Sequence, residues 1–488
     1  MIRALAASIL AIISTQAAVD WQPSFELVQP ELFGAPGGNT NAWADIDNDG
    51  DLDYFVGFRG RSSRLYRNDN GRFLELAVLA TRTSEVRSAA WGDFNADGHV
   101  DLYVGFADPG VSSQVFRNEG NGKRFVEVSE AIGLAIAGVS RQAAWIDYDG
   151  DGDLDFFAAF RDGPNRLFRN ERGIFADVTG EARIGDTRKT VSALWWDFDR
   201  DGDLDLFTAN QEGDANGLYR QHRGTFEDVA AALGVAGTPR PKADGGVGPS
   251  LADFDGDGDF DLFVANYGPS ALYRNDDGRV FVDVARERGI DLRGHAVTSA
   301  WGDLDNDGFP ELYVANFLAG EPRYRDALFW NNRGTFVEML PGPLLAHDAT
   351  HGVRFVDFDQ GGRLDLSLTN NDARGGGHPL WRNTAAVRGR SIAIDVVDRS
   401  ARRTRAGSEV RAYRTGTRQL LSTALVDSGS GYCSQSEMPV HLGIGDAWKG
   451  NIDIEIITLL GGARRVSLVR DVNPDQYRGR SLRIISIG

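Results

Sequence analysis

One acidic nine-residue segment returns seven times along this chain, beginning at Asp45, Asp93, Asp147, Asp197, Asp253, Asp303 and Asp357, at intervals of 48 to 56 residues. A period of that length marks a repeat architecture, in which each unit buries its apolar surface against its neighbours. A short apolar stretch precedes each copy, as in Ser88-Ala89-Ala90-Trp91-Gly92, and a β-prone run follows, as in Leu262-Phe263-Val264-Ala265. A third element then recurs as Leu65-Tyr66-Arg67-Asn68, Leu167-Phe168-Arg169-Asn170, Leu272-Tyr273-Arg274-Asn275 and Leu380-Trp381-Arg382-Asn383. A glycine turn and a fourth element, such as Phe73 to Leu76 or Phe281 to Val284, complete the unit. Four strands per period of ~50 residues describe one propeller blade, so the pattern predicts an all-β, seven-bladed β-propeller.

The seventh unit lacks its fourth strand, since Asn383 runs directly into a different composition. An orphan of the missing type, Phe25-Glu26-Leu27-Val28, stands ahead of the first unit, so the chain's start should complete its last blade and leave no open edge. The propeller is expected over residues 18–386. Residues 387–488 alternate instead, as in Asn451-Ile452-Asp453-Ile454-Glu455-Ile456, which predicts strands with one buried face in a small β-sandwich or barrel-like domain.

Within each loop, carboxylates at positions 1, 3 and 5 of a tight turn can point inward, a glycine at 6 permits the reversal, 7 offers its carbonyl and 9 closes the sphere. The candidate ligands are Asp45, Asp47, Asp49, Asp51 and Asp53 in blade one, then Asp93, Asn95, Asp97, His99 and Asp101 in blade two. Blade three supplies Asp147, Asp149, Asp151, Asp153 and Asp155, and blade four Asp197, Asp199, Asp201, Asp203 and Asp205. Blade five supplies Asp253, Asp255, Asp257, Asp259 and Asp261, and blade six Asp303, Asp305, Asp307, Phe309 and Glu311. Hard oxygen donors without thiolate select Ca²⁺ over softer metals, and an EF-hand is excluded because position 9 leads into a strand. In blade seven Asp357, Asp359 and Asp365 remain, but Gly361 and Arg363 replace the fifth and seventh residues, so that site should be weak or empty. About six Ca²⁺ ions are expected. They would bring the formal charge of −18 to about −6.

That acidity argues against nucleic acid as a partner. The single cysteine, Cys433, forbids an internal disulfide and reads as a buried small hydrophobe. Met1-Ile2-Arg3, an apolar run from Ala4 to Ile13 and small residues to Ala17 read as a signal peptide over residues 1–17, hence a secreted or periplasmic protein. The run is too short for a membrane span.

The loops resemble the FG-GAP or VCBS repeats of integrin α-subunit propellers over about residues 25–384. Downstream, Gly407-Ser408-Glu409-Val410, Ser428-Gly429-Ser430-Gly431-Tyr432-Cys433-Ser434-Gln435, His441-Leu442-Gly443-Ile444-Gly445 and Asn473-Pro474-Asp475-Gln476 resemble the ASPIC/UnbV domain. One departure is Ile457-Thr458-Leu459-Leu460-Gly461-Gly462, where that domain usually carries a tryptophan-proline turn. Together these features resemble the cartilage acidic protein family. The resemblance implies a calcium-stabilised binding module for a protein or glycan ligand, its ions structural.

An alternative is a calcium-dependent enzyme, such as a cyclase or lyase of specialised metabolism, taking a small-molecule substrate in the channel mouth. In a regular propeller the starts of the inner strands would bring Asn39, Arg87, Arg141, Lys189, Asp244, His295, Asp348 and His351 to the mouth opposite the cations, with His347 nearby. Of these, His295, His351, His347, Asp348, Arg87, Arg141 and Lys189 are the catalytic candidates, although no nucleophile triad or phosphate-cradling loop names a reaction.

Overall fold

The structure is a computed structural model that describes residues 21–237, 239–317, 325–346, 349–372, 376–403 and 405–486. The leader expected over residues 1–17 lies outside the described residues, as do His347 and Asp348.

Seven four-stranded antiparallel units carry the first 28 strands. Blade one is Gly38–Ala44, Asp53–Phe58, Arg64–Asp69 and Arg72–Leu76, each pairing with the next, and blades two to six repeat the order. In blade seven Thr350–Val356, Asp365–Asn370 and Leu380–Asn383 are joined by Phe25–Val28 from the other end of the chain, with Phe25 opposite Asn383 and Val28 opposite Leu380. The ring is thus latched by hydrogen bonds between distant segments, and Trp21 adds one from its indole N–H to the carbonyl of Ala386 at 3.0 Å. Blades five and six also share a ladder, Tyr267 opposite His295 to Pro269 opposite Arg293.

Inner strands face neighbours on both sides, which is why they are apolar along their length rather than alternating. Trp43, Trp91, Trp145 and Trp195, each close before its acidic loop, are fully buried. Neighbouring blades approach so closely that a Cβ at Gly57 would lie 2.5 Å from both Thr40 Oγ1 and Val86 Cγ1. Seven of the apolar clusters span pairs of adjacent blades, so the propeller core is a ring of inter-blade interfaces.

The C-terminal strands form two further sheets. One orders Val440–Gly445, Arg390–Val397 and Leu482–Ile485; the other orders Leu420–Leu425, Glu409–Arg414, Ile452–Leu459 and Arg464–Val472. Ile392, Ile394, Val410, Ile454 and Ile456 meet in their shared core, as alternation in a half-buried strand requires. This unit sits on the acidic-loop side of the propeller. Gly461 donates its N–H to Gly150 O at 3.1 Å, Ser391 Oγ donates to Gly362 O at 2.7 Å, and Arg411 Nη2 donates to Gly258 O at 3.0 Å.

From this unit, residues 427–437 run along the propeller's inner strands. Ala89 donates to Cys433 O at 3.1 Å, Gln142 Nε2 to Ser434 O at 2.9 Å, Ser192 Oγ to Gly431 O at 3.0 Å and Arg354 Nη2 to Ser434 O at 2.6 Å. Gly431 donates to Pro249 O at 2.6 Å and Glu437 to Trp43 O at 2.8 Å. Gly431 also lies against blade six, where a Cβ would come 3.0 Å from Thr298 Oγ1. The serine and glycine run from Ser428 to Gln435 is therefore part of a plug touching the inner strands of all seven blades. Cys433 is wholly buried beside Val191, Val247, Val297 and Tyr432, the packing role expected of it.

Candidate metal centres and the channel mouth

Each acidic loop follows a buried inner strand and precedes the next, so its backbone reverses within nine residues. In blade one Asp45 accepts from the N–H groups of Asp49 and Gly50, both at 3.1 Å, while Asp49 Oδ1 accepts from Asp51 at 2.9 Å. Asp53 Oδ2 accepts from Ile46 at 2.9 Å and its Oδ1 from Asn68 at 2.8 Å. Blades two to six repeat these contacts with small variations, as in Asp303 with Asp307 and Gly308, and Glu311 with Leu304. The glycine at position 6 is left-handed in every regular loop, φ +98° at Gly50, which only glycine adopts without strain.

This scaffold brings the carboxylates of positions 1, 3 and 9 together. One oxygen from each lies within 4.8 Å of the others in Asp45/Asp47/Asp53, Asp147/Asp149/Asp155, Asp197/Asp199/Asp205, Asp253/Asp255/Asp261 and Asp303/Asp305/Glu311. Asp47 Oδ1, Asp147 Oδ1, Asp197 Oδ1 and Asp255 Oδ1 are buried without a hydrogen-bond partner. Burial, then repulsion between the carboxylates, pushes Asp53 up to about 8 and Asp155 up to about 9, and holds Asp205 and Asp261 well above the usual range. Asp147 and Asp253 are pushed up to about 7 by the same causes. Clustered, desolvated oxygens with lone pairs to spare fit a hard dication.

Position 7 behaves differently. Asp51 Oδ2 accepts from Asn70 at 2.7 Å, Asp203 Oδ2 from Arg223 at 3.3 Å and Asp259 Oδ2 from Asp277 at 3.1 Å, so these side chains bind the adjacent hairpin. His99 Nδ1 faces Asn48 Nδ2 at 3.2 Å, and Phe309 lies under the guanidinium of Arg333. Position 5 and its partner at 7 are linked through backbone N–H groups, as in Asp257 Oδ1 accepting from Asp259 at 2.9 Å.

Two features around the loops were not read from the sequence. The first is a girdle of carboxamides from the third strands. Asn68 Nδ2 donates to Phe358 O at 2.7 Å, Asn118 to Ile46 O at 2.9 Å, Asn170 to Phe94 O at 2.9 Å and Gln221 to Tyr148 O at 3.0 Å. Asn275 to Phe198 O, Asn331 to Phe254 O and Asn383 to Leu304 O complete the circle. Each joins one blade to the second loop residue of the blade before it, and the recurring asparagine after arginine was its only trace in the sequence. The second is a set of C-terminal arginines over position 1: Arg464 Nη1 lies 2.6 Å from Asp197 Oδ2, Arg405 Nη1 3.9 Å from Asp147 Oδ2 and Arg403 Nη2 4.0 Å from Asp45 Oδ2.

At the channel mouth the candidates separate. Asn39 is buried and donates Nδ2 to Val86 O at 3.0 Å. Arg87 is held by Glu85, Nε to Oε1 at 2.6 Å, and donates to His351 Nε2. His351 Nδ1–H donates to Asn39 O at 3.0 Å, so the ring is neutral with both nitrogens engaged, and burial beside Arg87 holds its pKa well below the ordinary value. Tyr432 of the plug lies against that ring, centroids 5.0 Å apart. Arg141 is buried and donates Nη1 to Ser140 O at 3.0 Å. Lys189 turns away to Asp162 at 2.7 Å, His295 lies against Tyr267 with centroids 4.6 Å apart, and Asp244 packs under Gly268.

Comparison with known proteins places this geometry in context. Residues 45–104, 147–208, 197–264 and 253–314 match the FG-GAP-like repeat. Cartilage acidic protein 1 of Homo sapiens is 26% identical over 359 residues, 67% of this chain and 52% of that protein, and the Mus musculus protein is 27% identical over 67% and 53%. Cartilage acidic protein 1 of Xenopus tropicalis is 26% identical over 85% of this chain and 69% of its own. The chain spans about half the length of the human and mouse relatives it matches. Among solved structures, an Agrocybe aegerita lectin described as recognising non-reducing terminal N-acetylglucosamine aligns at 17% identity, 69% and 86% coverage and a TM-score of 0.41. The BBS1N chain in complex with ARL6DN aligns at 10%, 74% and 96% coverage and 0.44. This chain is thus a propeller with FG-GAP-like repeats, related in sequence to cartilage acidic protein 1. No helix among the described residues is long and apolar enough to cross a membrane.

Proposed function

We propose that this protein is an exported calcium-binding propeller that serves as an interaction module for a protein or glycan, with its ions in a structural role. The observation that carries the reading is the set of five triads whose carboxylate oxygens lie within 4.8 Å of one another. Calcium is the ion because every donor is a hard oxygen and the loop is a flexible turn rather than a strict octahedron. Side chains at positions 1, 3, 5 and 9 and the carbonyl at 7 form the sphere, with the arginines over Asp45, Asp147 and Asp197 orienting the first ligand from outside. The ions hold each loop while the carboxamide girdle holds the next blade to it. Residues 18–386 form the propeller and 387–488 the second domain.

The C-terminal unit covers the loop face and its plug fills the axis, which leaves the opposite face for a partner. The enzyme reading has less support, because Arg87 and Asn39 occupy both nitrogens of His351 and leave it no lone pair for a substrate. Immobilised full-length protein should capture protein or glycan ligands from extracellular fluid in millimolar calcium and release them on chelation. Equal capture with and without the ion would sink the reading.

A further inference from the structure

Between the propeller's seventh loop and the C-terminal sheets lies a cavity of about 350 Å³. Its walls are apolar on both sides, with Phe355 and Leu364 from blade seven facing Ile392 and Met438 from the C-terminal unit. The floor is Gly361 and Gly362, where the other blades carry an aspartate and a glycine. The seventh loop thus meets this space with bare backbone at both positions. A cavity of this size at the junction of two folded units, apolar with a few convergent polar groups, has the character of a small-molecule site.

Two polar features define what would fit. The first is His441, which also lines the neighbouring cavity of about 180 Å³. Asn306 donates Nδ2 to Gly362 O at 2.9 Å, which fixes its Oδ1 as the acceptor facing His441 Nε2 at 2.8 Å. His441 must then carry its proton on Nε2. Its Nδ1 is left as a bare lone pair, buried and without a partner. A buried acceptor in that condition is costly until a donor meets it. The second feature is charge. Arg363 and Arg480 line the same cavity, and neither is ion-paired to a carboxylate among the described residues, whereas Arg390 and Arg478 are already taken by Asp475.

We propose that this cleft binds a small organic acid with an apolar, ring-sized body, its carboxylate meeting Arg363 and Arg480 and an N–H or O–H group donating to His441 Nδ1. The site lies on the loop side of the molecule, away from the face offered to a macromolecular partner, and goes beyond the interaction reading; loss of partner capture would leave it standing.

The test uses the full-length, calcium-loaded protein with 1-anilinonaphthalene-8-sulfonate as a fluorescent anion and three displacing probes. Indole-3-acetate carries ring, carboxylate and N–H; naphthalene-1-acetate lacks the N–H; 3-methylindole lacks the carboxylate. Saturable one-to-one dye binding is expected, with indole-3-acetate displacing roughly tenfold more effectively than either analogue. Ala393→Trp, which fills the cavity from the C-terminal strand, should weaken dye binding at least tenfold. If that variant loses its calcium-dependent melting transition, the double variant Arg363→Glu, Arg480→Glu, altering two solvent-reachable side chains, carries the test and should show a loss of similar size. His441→Phe should abolish the preference for indole-3-acetate over naphthalene-1-acetate. Non-saturable dye binding, unchanged binding in the variants, or a preference that survives His441→Phe would each overturn the assignment.

Discussion

Blade seven closes its loop as blade six does. Asp357 accepts from the N–H groups of Gly361 and Gly362 at 2.8 and 2.9 Å, as Asp303 accepts from Asp307 and Gly308 at 3.0 and 2.8 Å. Asp365 takes the N–H of Asn383, and that asparagine reaches back to blade six as every other girdle residue reaches to its predecessor. What differs is the set of ligands: position 5 has no side chain and position 7 is Arg363, whereas the hold of Arg382 Nε on Asp359 at 2.8 Å is matched in blade four by Arg220 Nε on Asp199 at 2.7 Å. The comparison separates two duties that coincide elsewhere. Shaping the turn needs the carboxylates at 1 and 9 and the N–H groups they collect; holding an ion needs the oxygens at 3 and 5 as well.

If the six regular loops hold calcium, its removal should be the largest perturbation. With each site near ~0.1 mM in ~1 mM calcium, linkage gives about 1.4 kcal/mol per ion and ~8 kcal/mol for six, comparable to the stability of a whole domain. Calorimetric melting with and without a chelator measures it, and an unshifted transition would end the calcium reading.

The ion-free protein should then respond to pH in a characteristic sense. Asp53, Asp155, Asp147 and Asp253 have folded-state values raised above 3.8, to between about 7 and 9, so the folded chain binds more protons than the unfolded one between those limits. Stability in chelator is therefore greatest at low pH and falls as pH rises from about 4 to about 9. Calcium, which requires the ionised form, should reverse that slope. Parallel melting series at fixed ionic strength distinguish the two; the same slope in both would mean the carboxylates do not face the ion.

A single substitution in the girdle should cost less, and equally in both kinds of blade. Asn170→Ala in blade three and Asn383→Ala in blade seven each remove three carboxamide hydrogen bonds, two of them from Nδ2 joining loop to loop, for about 1–3 kcal/mol. Urea melts in calcium would show matching losses. A much smaller loss in blade seven would mean that its loop is held by something other than the shared scaffold.

These contrasts also explain what the sequence revealed. Seven blades, the closing strand Phe25–Val28 and the carboxylate clusters were legible because ligand chemistry and strand alternation leave residues at fixed positions. The girdle was half visible: Asn68 and its counterparts recur, but their partners are backbone carbonyls, which leave no mark in the sequence. The plug was hidden, since the burial of Ser428 to Gln435 depends on a channel built by strands up to hundreds of residues earlier. The arginines over Asp45, Asp147 and Asp197 were hidden for the same reason. Where the chain departs from the expected tryptophan-proline turn, Leu460 donates to Ala463 O at 3.1 Å around two left-handed glycines, and that turn meets the blade-three loop at Gly150. The altered residues make a turn suited to this contact.

The smallest and sharpest test converts the seventh loop into one with the aspartate pattern of blade one. Gly361 has no left-handed backbone requirement, and a Cβ there would meet only the Asp359 carboxylate, Oδ1 at 2.7 Å, the free end of a side chain that an ion would itself reorient. Gly361→Asp with Arg363→Asp should therefore raise the calcium content by one ion per chain, measured by elemental analysis after dialysis, with little change in the melting transition. The same pair of substitutions exchanges Arg363, one of the two arginines assigned to the ligand's carboxylate, for a carboxylate at the edge of the cleft. Anion binding there should fall as the ion count rises, because Arg363, which stands where a regular loop has its seventh residue, also lines the cleft. An added ion with undiminished dye binding would mean that the loop and the cleft are independent.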